Sequence, residues 1–459
     1  MRSFPVWAAT LAAASLPLHC CPLFAQTSPS VEDELRTEIQ ELHKRLEHLE
    51  RRLDQKGKES SAAAVIAGPG GFGVKSADDT FRLDLRGVLQ LDARFYDGTR
   101  PASPTGTQTP DSFLIRRARP IVAATLYDRY DFYLMPDFGV GKTQLFDAYF
   151  QARFLPEAQL RAGKFKSPVG LEQLQEDVNL TFAERSLATD LVPNRDVGVQ
   201  LQGALFDGVL SYQLGLFNGE PDGMTQADID SNSGKDLEAR VFAKPFGGAS
   251  LDSLHGLGFG VAYTDGRQTG TAAAPNLPTY VSPGQQAFFG YTAGAFADGN
   301  RRRLTPQAYY YWGPFGLLTE YVQSAQRVTR AGLSRNIRNH AWQLNLGWVL
   351  TGERAGFYGI TPSTAFVPGS RGWGAFQVVA RYSQLAVDDD AFAGSSATRL
   401  ANPTLSARQA LDTGIGLNWY LSRWIRVGLD YDQTKFIGGA IGGDRPNEKV
   451  IISRFQVAF

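Results

Sequence analysis

Apolar and polar positions alternate with a period of two over most of the chain beyond residue 80. In FRLDLRGVLQLDARFY, Phe81, Leu83, Leu85, Leu89, Leu91 and Phe95 share one face of an extended segment. Arg82, Asp84, Arg86, Gln90, Asp92 and Arg94 share the other. The terminal stretch KVIISRFQVAF repeats the pattern, with Ile451, Ser453, Phe455, Val457 and Phe459 opposed to Ile452, Arg454, Gln456 and Ala458. A single such strand would also suit a soluble sandwich. Repetition with short turns and aromatic ends, running to a terminal Phe, favours strands that separate water from lipid.

The alternation predicts strands over 81–96, 112–126, 130–138, 145–154, 158–166, 197–205, 209–218, 237–245, 256–265, 302–312, 315–326, 339–350, 373–385, 409–421, 424–434 and 449–459. That makes about sixteen, an even number as a bacterial barrel requires. Tight connections at Tyr127-Asp128-Arg129, Leu155-Pro156-Glu157, Phe206-Asp207-Gly208, Gly313-Pro314 and Ser422-Arg423 alternate with longer segments, as periplasmic turns alternate with external loops. Residues 286–296 could form a further strand, but parity leaves them in a loop. Segment 351–372 is long for a periplasmic turn and the pattern gives no reason for it. The predicted fold is all-β, a transmembrane antiparallel β-barrel of about sixteen strands with a short N-terminal coiled-coil helix.

Upstream the period changes. Leu35, Ile39, Leu42, Leu46, Leu49 and Leu53 step by four and three, an a/d seam within a coiled-coil segment at 26–57. It reads either as an oligomerising stalk or as one amphipathic helix lying on a surface. A Gly/Ala-rich linker follows over 58–80. Residues 1–25 read as a secretory signal, with Arg2, an apolar run from Val6 to Leu18 and a cut after Ala25. Both cysteines, Cys20 and Cys21, fall inside it, so the exported chain would carry neither a disulfide nor a thiolate metal site. Beyond Gln26 no apolar run reaches the roughly 18 residues of a membrane helix. The formal net charge is zero, which argues against a nucleic-acid partner.

Several stretches, in order, resemble the phosphate-selective porin O and P family. They are FLIRRARPIV (113–122), GKFKSPVGLE (163–172), FAERSL (182–187), PNRDVGVQL (193–201), RLTPQAYYYWGPFGLLTEYV (303–322), WVLTGE (348–353), GAFQVVARYSQL (374–385) and LNWYL (417–421). The resemblance implies a trimeric sixteen-stranded outer-membrane barrel. It also implies an inward-folded third loop, at about 167–196, and a basic lining that passes anions. No cofactor is implied. Small anions (phosphate and polyphosphate), outer-membrane lipid and lipopolysaccharide are the expected partners.

Anion selection needs positive charge and donors where low-dielectric walls are closest. On the polar phase of the strands lie Arg82, Arg86, Arg94, Arg117, Arg119, Arg153 and Arg161. Arg116 adjoins Arg117, and strict alternation turns one of the two away from the lumen, with Arg117 favoured inward. Lys164 and Lys166 lead into the long segment, and Arg185 and Arg195 lie within it or at its exit. These four either line a constriction or, with Glu184 and Asp196, form ion pairs that pin the loop. Arg301, Arg302 and Arg303, with Arg327, Arg330, Arg335 and Arg338, are expected in external loops, as an electrostatic funnel or a contact for lipopolysaccharide. Lumen-phase acids such as Asp84, Asp92, Asp137, Asp147, Asp412, Asp430 and Asp432 nearly balance the inward cations. Any anion preference must therefore come from local placement. The alternative is a general, weakly selective porin. A barrel enzyme lacks support, because His255 and His340 stand in no catalytic motif.

Overall fold

The computed structural model describes residues 31–60, 63–68, 71–98, 103–106, 110–225, 228–230, 232–248 and 252–459. The signal-peptide and leading coiled-coil expectations, at 1–30, lie outside them. The chain divides at residue 62. The N-terminal unit holds one helix, α1 (Val31–Ser60), whose Leu35, Ile39, Leu42, Leu46, Leu49 and Leu53 are 52–69% exposed. Arg45–Glu41 and Arg51–Glu47 pairs, one turn apart, support it.

The second unit is a closed barrel. Strands β1 (Phe81–Asp97), β2 (Ser112–Leu126), β3 (Tyr130–Asp137), β4 (Gln144–Leu155) and β5 (Ala158–Lys166) open the wall. β6 (Arg195–Leu205), β7 (Leu210–Phe217), β8 (Asp236–Ala243) and β9 (Leu257–Thr269) continue it. Then come β10 (Phe296–Trp312), β11 (Phe315–Arg330), β12 (Leu333–Val349) and β13 (Ala375–Ala386). β14 (Ala407–Tyr420), β15 (Ile425–Ala440) and β16 (Glu448–Ala458) complete it. Each strand pairs antiparallel with the next, and β16 returns to β1 in register from Lys449↔Asp97 to Ala458↔Val88. Sixteen strands and their alternation are thus as the sequence predicts, and residues 287–290 lie in a loop hairpin outside the wall. Closure pairs every strand edge, which a membrane interior demands.

The seam is tied at its end. Gly87 N–H donates to Phe459 O (3.0 Å) and Phe459 N–H to Gly87 O (3.1 Å). A Cβ on Gly87 would meet the Phe459 ring at 2.9 Å, so a larger residue there would have to push the ring aside. The Gly/Ala-rich stretch contains a hairpin, Ala64–Gly68 and Gly71–Lys75, whose second strand pairs with β1 below the seam, from Phe72↔Leu85 to Lys75↔Arg82.

The outer face carries exposed apolar residues between two aromatic rows. The lower row includes the stacked pairs Phe315–Trp348 and Phe376–Trp419, the upper row the stacked Tyr321–His340 and the tilted Trp342–Tyr382. At the external end β10, β11 and β12 rise well beyond the upper row. Only Ala331 and Gly332 join β11 to β12. This corrects the expectation for Arg301, Arg302 and Arg303, which lie in β10 and not in a loop. Above the membrane both faces of a strand are polar, so the alternation that marks strands in sequence disappears.

Much of the lumen is filled. Loop 167–194 crosses its middle, and its Val169, Leu187, Ala188, Leu191 and Val192 join one apolar cluster with Tyr280, Phe288 and Phe289 of loop 270–295 and Val387, Ala391 and Phe392 of loop 387–406. From the periplasmic end, segment 350–374 folds inward. Phe357 stacks on Tyr309 at 5.5 Å, and Phe357 O accepts from Gln175 Nε2 at 2.8 Å. Ile360 and Ala355 pack against Val349, Ala375 and Tyr420. The unexplained length of that turn is therefore a second insert that supports the crossing loop from below.

Candidate functional site

The crossing loop is held chiefly through wall arginines. Arg454 and Arg94 reach Glu184 at 3.0 and 2.6 Å, and Arg116 reaches it at 2.6 Å. Arg381 Nη1 donates to Glu184 O (2.7 Å), Arg426 Nη1 to Leu180 O (2.5 Å), and Arg454 also to Ala183 O. Asn418 and Asn345 bind Thr181, and Glu320 accepts from the amides of Leu171 and Glu172. A loop with few backbone bonds of its own needs such partners for its buried carbonyls and amides. Arg381, Arg426 and Arg454 had the inward phase but were not singled out, because nothing in sequence distinguishes an arginine that braces a loop from one that meets solute.

Most of these braces stand on β11–β16, with Arg94 of β1 and Arg116 of β2 closing on Glu184, and the open space lies beside β1–β5. Two cavities lie there, one on each side of the loop, and Arg119 and Asp177 line both. The upper, about 150 Å³, is lined by Arg116, Arg117, Arg119, Arg185 and Arg195 against Asp177, Glu184 and Asp190. The lower, about 740 Å³, is lined by Arg82, Arg86, Arg119, Arg161, Lys166 and Arg423 against Asp147, Glu176 and Asp177. At their junction Asp177 pairs with Arg119 and Arg185 and lies 3.4 Å from Arg117 Nε. Arg117 Nη1 donates to Gln90 Oε1 at 2.6 Å, whereas its buried Nε has no hydrogen-bond partner among the described residues. Arg119 is also paired with Asp137 (2.7 Å) and stacks over Phe146 at 4.1 Å.

Both members of the double arginine face inward, which corrects the expectation that one turns away. The β1–β2 register shifts between Gln90↔Arg117 and Leu91↔Ile115, leaving Arg116 as the extra residue of a β-bulge. A bulge suspends alternation for one residue and re-aims its side chain.

The remaining predicted residues divide. Arg82 and Arg86 stand in the lower cavity near Asp84, at 2.9 and 3.7 Å. Arg161 lies there too, bonded to Gln151 (2.8 Å) and over the Tyr149 ring (4.4 Å), with no carboxylate partner among the described residues. Lys166 donates to Gln175 O at 2.9 Å. Arg195 is held by Asp147 at 3.2 Å, and Arg185 by Asp177. Three residues line neither cavity. Arg94 is buried between Asp92 and Glu184, Arg153 pairs with Asp131 (3.0 Å) toward the periplasmic end, and Lys164 is buried against Asp228 (2.9 Å). Arg301 and Arg303 point inward, buried and paired with Asp236 (3.2 and 3.4 Å), with Arg303 also on Asp222 (2.7 Å). Arg302 points outward toward Asp265.

The loop acids titrate unequally. Burial pushes Asp177 up, but Arg117, Arg185 and Arg119 outweigh it and hold the carboxyl well below its usual range. Glu184 is treated alike by burial and by Arg116, Arg94 and Arg454. Asp190 goes the other way: burial pushes it well above the ordinary range despite the amide of Val281, so it offsets the upper cations less readily than Asp177 or Glu184.

Residues 81–459 match the family described as phosphate-selective porin O and P. Porin O of Pseudomonas aeruginosa is 25% identical over 409 residues, covering 82% of this chain and 87% of that one. The outer membrane channel DcaP of Acinetobacter baumannii superposes with a TM-score of 0.52 at 12% identity, covering 85% of this chain and all of that chain. An anion-selective porin from Comamonas acidovorans gives a TM-score of 0.49 at 11% identity, over 83% of this chain and all of that one. The chain therefore belongs to the phosphate-selective porin O and P family and is a channel of the bacterial outer membrane.

Proposed function

We propose that this channel prefers anions, phosphate or polyphosphate first, and that they pass beside β1–β5 through the junction of the two cavities. The observation that carries the reading is the local excess of cations: five against three acids above the loop and six against three below it. The guanidinium fork suits tetrahedral oxyanions, and closely spaced forks let an ion be handed on without being trapped. Arg116, Arg117, Arg119 and Arg185 are assigned to the junction, and Arg161 and Lys166 to the lower approach. The homotrimer and a stalk built by α1 belong to the same reading, since six exposed aliphatic side chains on one helical seam favour burial against other copies.

A general porin for small solutes is the second reading, favoured by the carboxylate partners already held by Arg119, Arg185 and Arg195. Reversal potential across a KCl gradient, followed by phosphate titration at fixed chloride, separates the two. A chloride-selective current blocked by low phosphate supports the oxyanion path. A reversal potential near zero without phosphate block assigns the chain to general diffusion.

A further inference from the structure

On the outer surface, above the upper aromatic row, lies a groove of about 730 Å³ that plays no part in the path. Its floor follows from register. Tyr263, Leu304, Gln323 and His340 are paired across β9–β12 at the height of the aromatic row. The next outward row is Asp265, Arg302, Ala325 and Arg338. Above it stand Arg267, paired with Asn300, and Arg327, paired with Asn336. Arg302 and Arg338 are thus separated only by the small side chain of Ala325, about 10 Å apart as two strand spacings. The slot between them is open and carries a guanidinium on each side.

The charges are largely unspent. Arg302 is 55% exposed and meets Asp265 at 3.2 Å, and Asp298 accepts from Thr329. Arg267, Arg327 and Arg338 are exposed, and their guanidinia have no carboxylate partner among the described residues, although the Arg338 amide donates to Asp388 at 2.8 Å. The Arg327 side chain lies across Gly299, where a Cβ would come within 2.8 Å of its Cδ. Four guanidinia against two carboxylates face outward one row beyond Tyr263 and Leu304, which are exposed and apolar. This is the level of the headgroups of the external leaflet.

We infer that this groove binds the phosphorylated headgroup of an outer-leaflet glycolipid, with Arg302, Arg327 and Arg338 on its phosphate and Tyr263 and Leu304 against its acyl side. Arginine forks bind phosphate bidentately, and adjoining apolar surface distinguishes a lipid from a free ion.

The test uses the full-length channel in detergent with lipid A, the bisphosphorylated glycolipid, as probe and native mass spectrometry as readout. Saturable binding is expected. It should weaken at least tenfold in R327Q/R338Q, and equally in Ala325→Glu, which keeps every arginine but places a carboxylate on the slot floor. Removing the phosphates from lipid A should weaken binding to a similar degree, while equimolar inorganic phosphate should displace none of it. Unaltered conductance in these variants shows that they have folded. Undiminished lipid A binding by both variants, or displacement by equimolar phosphate, would overturn the inference, the latter making the groove a site for free anions.

Discussion

Replacing Asp177 with Asn isolates the charge at the junction of the two cavities. The carboxylate touches Arg119 and Arg185 and lies 3.4 Å from Arg117, so its removal raises the local charge by one unit without shortening a side chain. For an ion passing about 6 Å away in a half-aqueous setting of effective dielectric roughly 40, one unit charge is worth about 1.4 kcal/mol. That is about tenfold in favour of a monovalent anion and a similar factor against a cation, before screening over a Debye length of about 10 Å. The chloride-to-potassium permeability ratio should therefore rise by between about ten- and a hundredfold. The loop should survive, because Arg119 keeps Asp137, Arg117 keeps Gln90, and Arg185 keeps the carbonyls of Glu172 and Gln175. Reversal potentials from single channels supply the ratio, and the heat-dependent shift in gel mobility of a folded barrel supplies the control. A folded Asp177→Asn channel with unchanged or lower anion preference refutes the placement of the path at this junction.

Glu184→Ala should behave differently, since it strands Arg116 and takes from Arg94 and Arg454 one of their two carboxylates, leaving both on Asp92. Orphaning buried charges costs about 3–5 kcal/mol, so the midpoint of heat-dependent mobility should fall and the open-channel current become noisy. The acids also set a pH dependence. The folded Asp177 and Glu184 have depressed pKa values, so their stabilisation is present above the unfolded carboxylate pKa and is lost as pH falls through the lower folded value. Ion selectivity should then stay flat from neutrality down to about pH 4, and a midpoint above that in a pH series would contradict the pairing. Replacing residues 350–374 by a two-residue turn should raise conductance, because the segment fills lumen beneath the loop; an unchanged conductance would place the limiting resistance elsewhere. Deleting 31–57 should leave a conducting pore, and a stalk role predicts weaker subunit association on cross-linking.

Alternation made the wall legible because each membrane strand has one face in lipid and one toward water, and sixteen segments met that condition. It failed where the condition lapses. The tops of β10–β12 rise above the lipid, where the outward face carries charge as the inward one does, so Arg301, Arg302 and Arg303 read as loop. The bulge at Arg116 broke the period at the pair for which the period was used to choose. Lys164 and Lys166, similar in sequence, separate because one meets Asp228 and the other enters the lower cavity. Pairings across the lumen, such as Arg454 with Glu184, join residues far apart in the chain, and local pattern carries no trace of them. The concentration of candidate arginines in the first third was nevertheless informative, because the inserts fill the other side of the barrel.

The tie between Gly87 and Phe459 also bears on how the molecule comes into being. The first strand made must wait for the last, across nearly the whole length of the chain, before its edge is covered. Joining such distant ends is slow, because loop entropy opposes it until the contact forms. A nascent or truncated chain can build hairpins but keeps two bare edges, which are liable to pair with other copies. The Gly87–Phe459 bonds thus tie the earliest wall strand to the latest, so the wall shuts only once β16 has been made and has found β1.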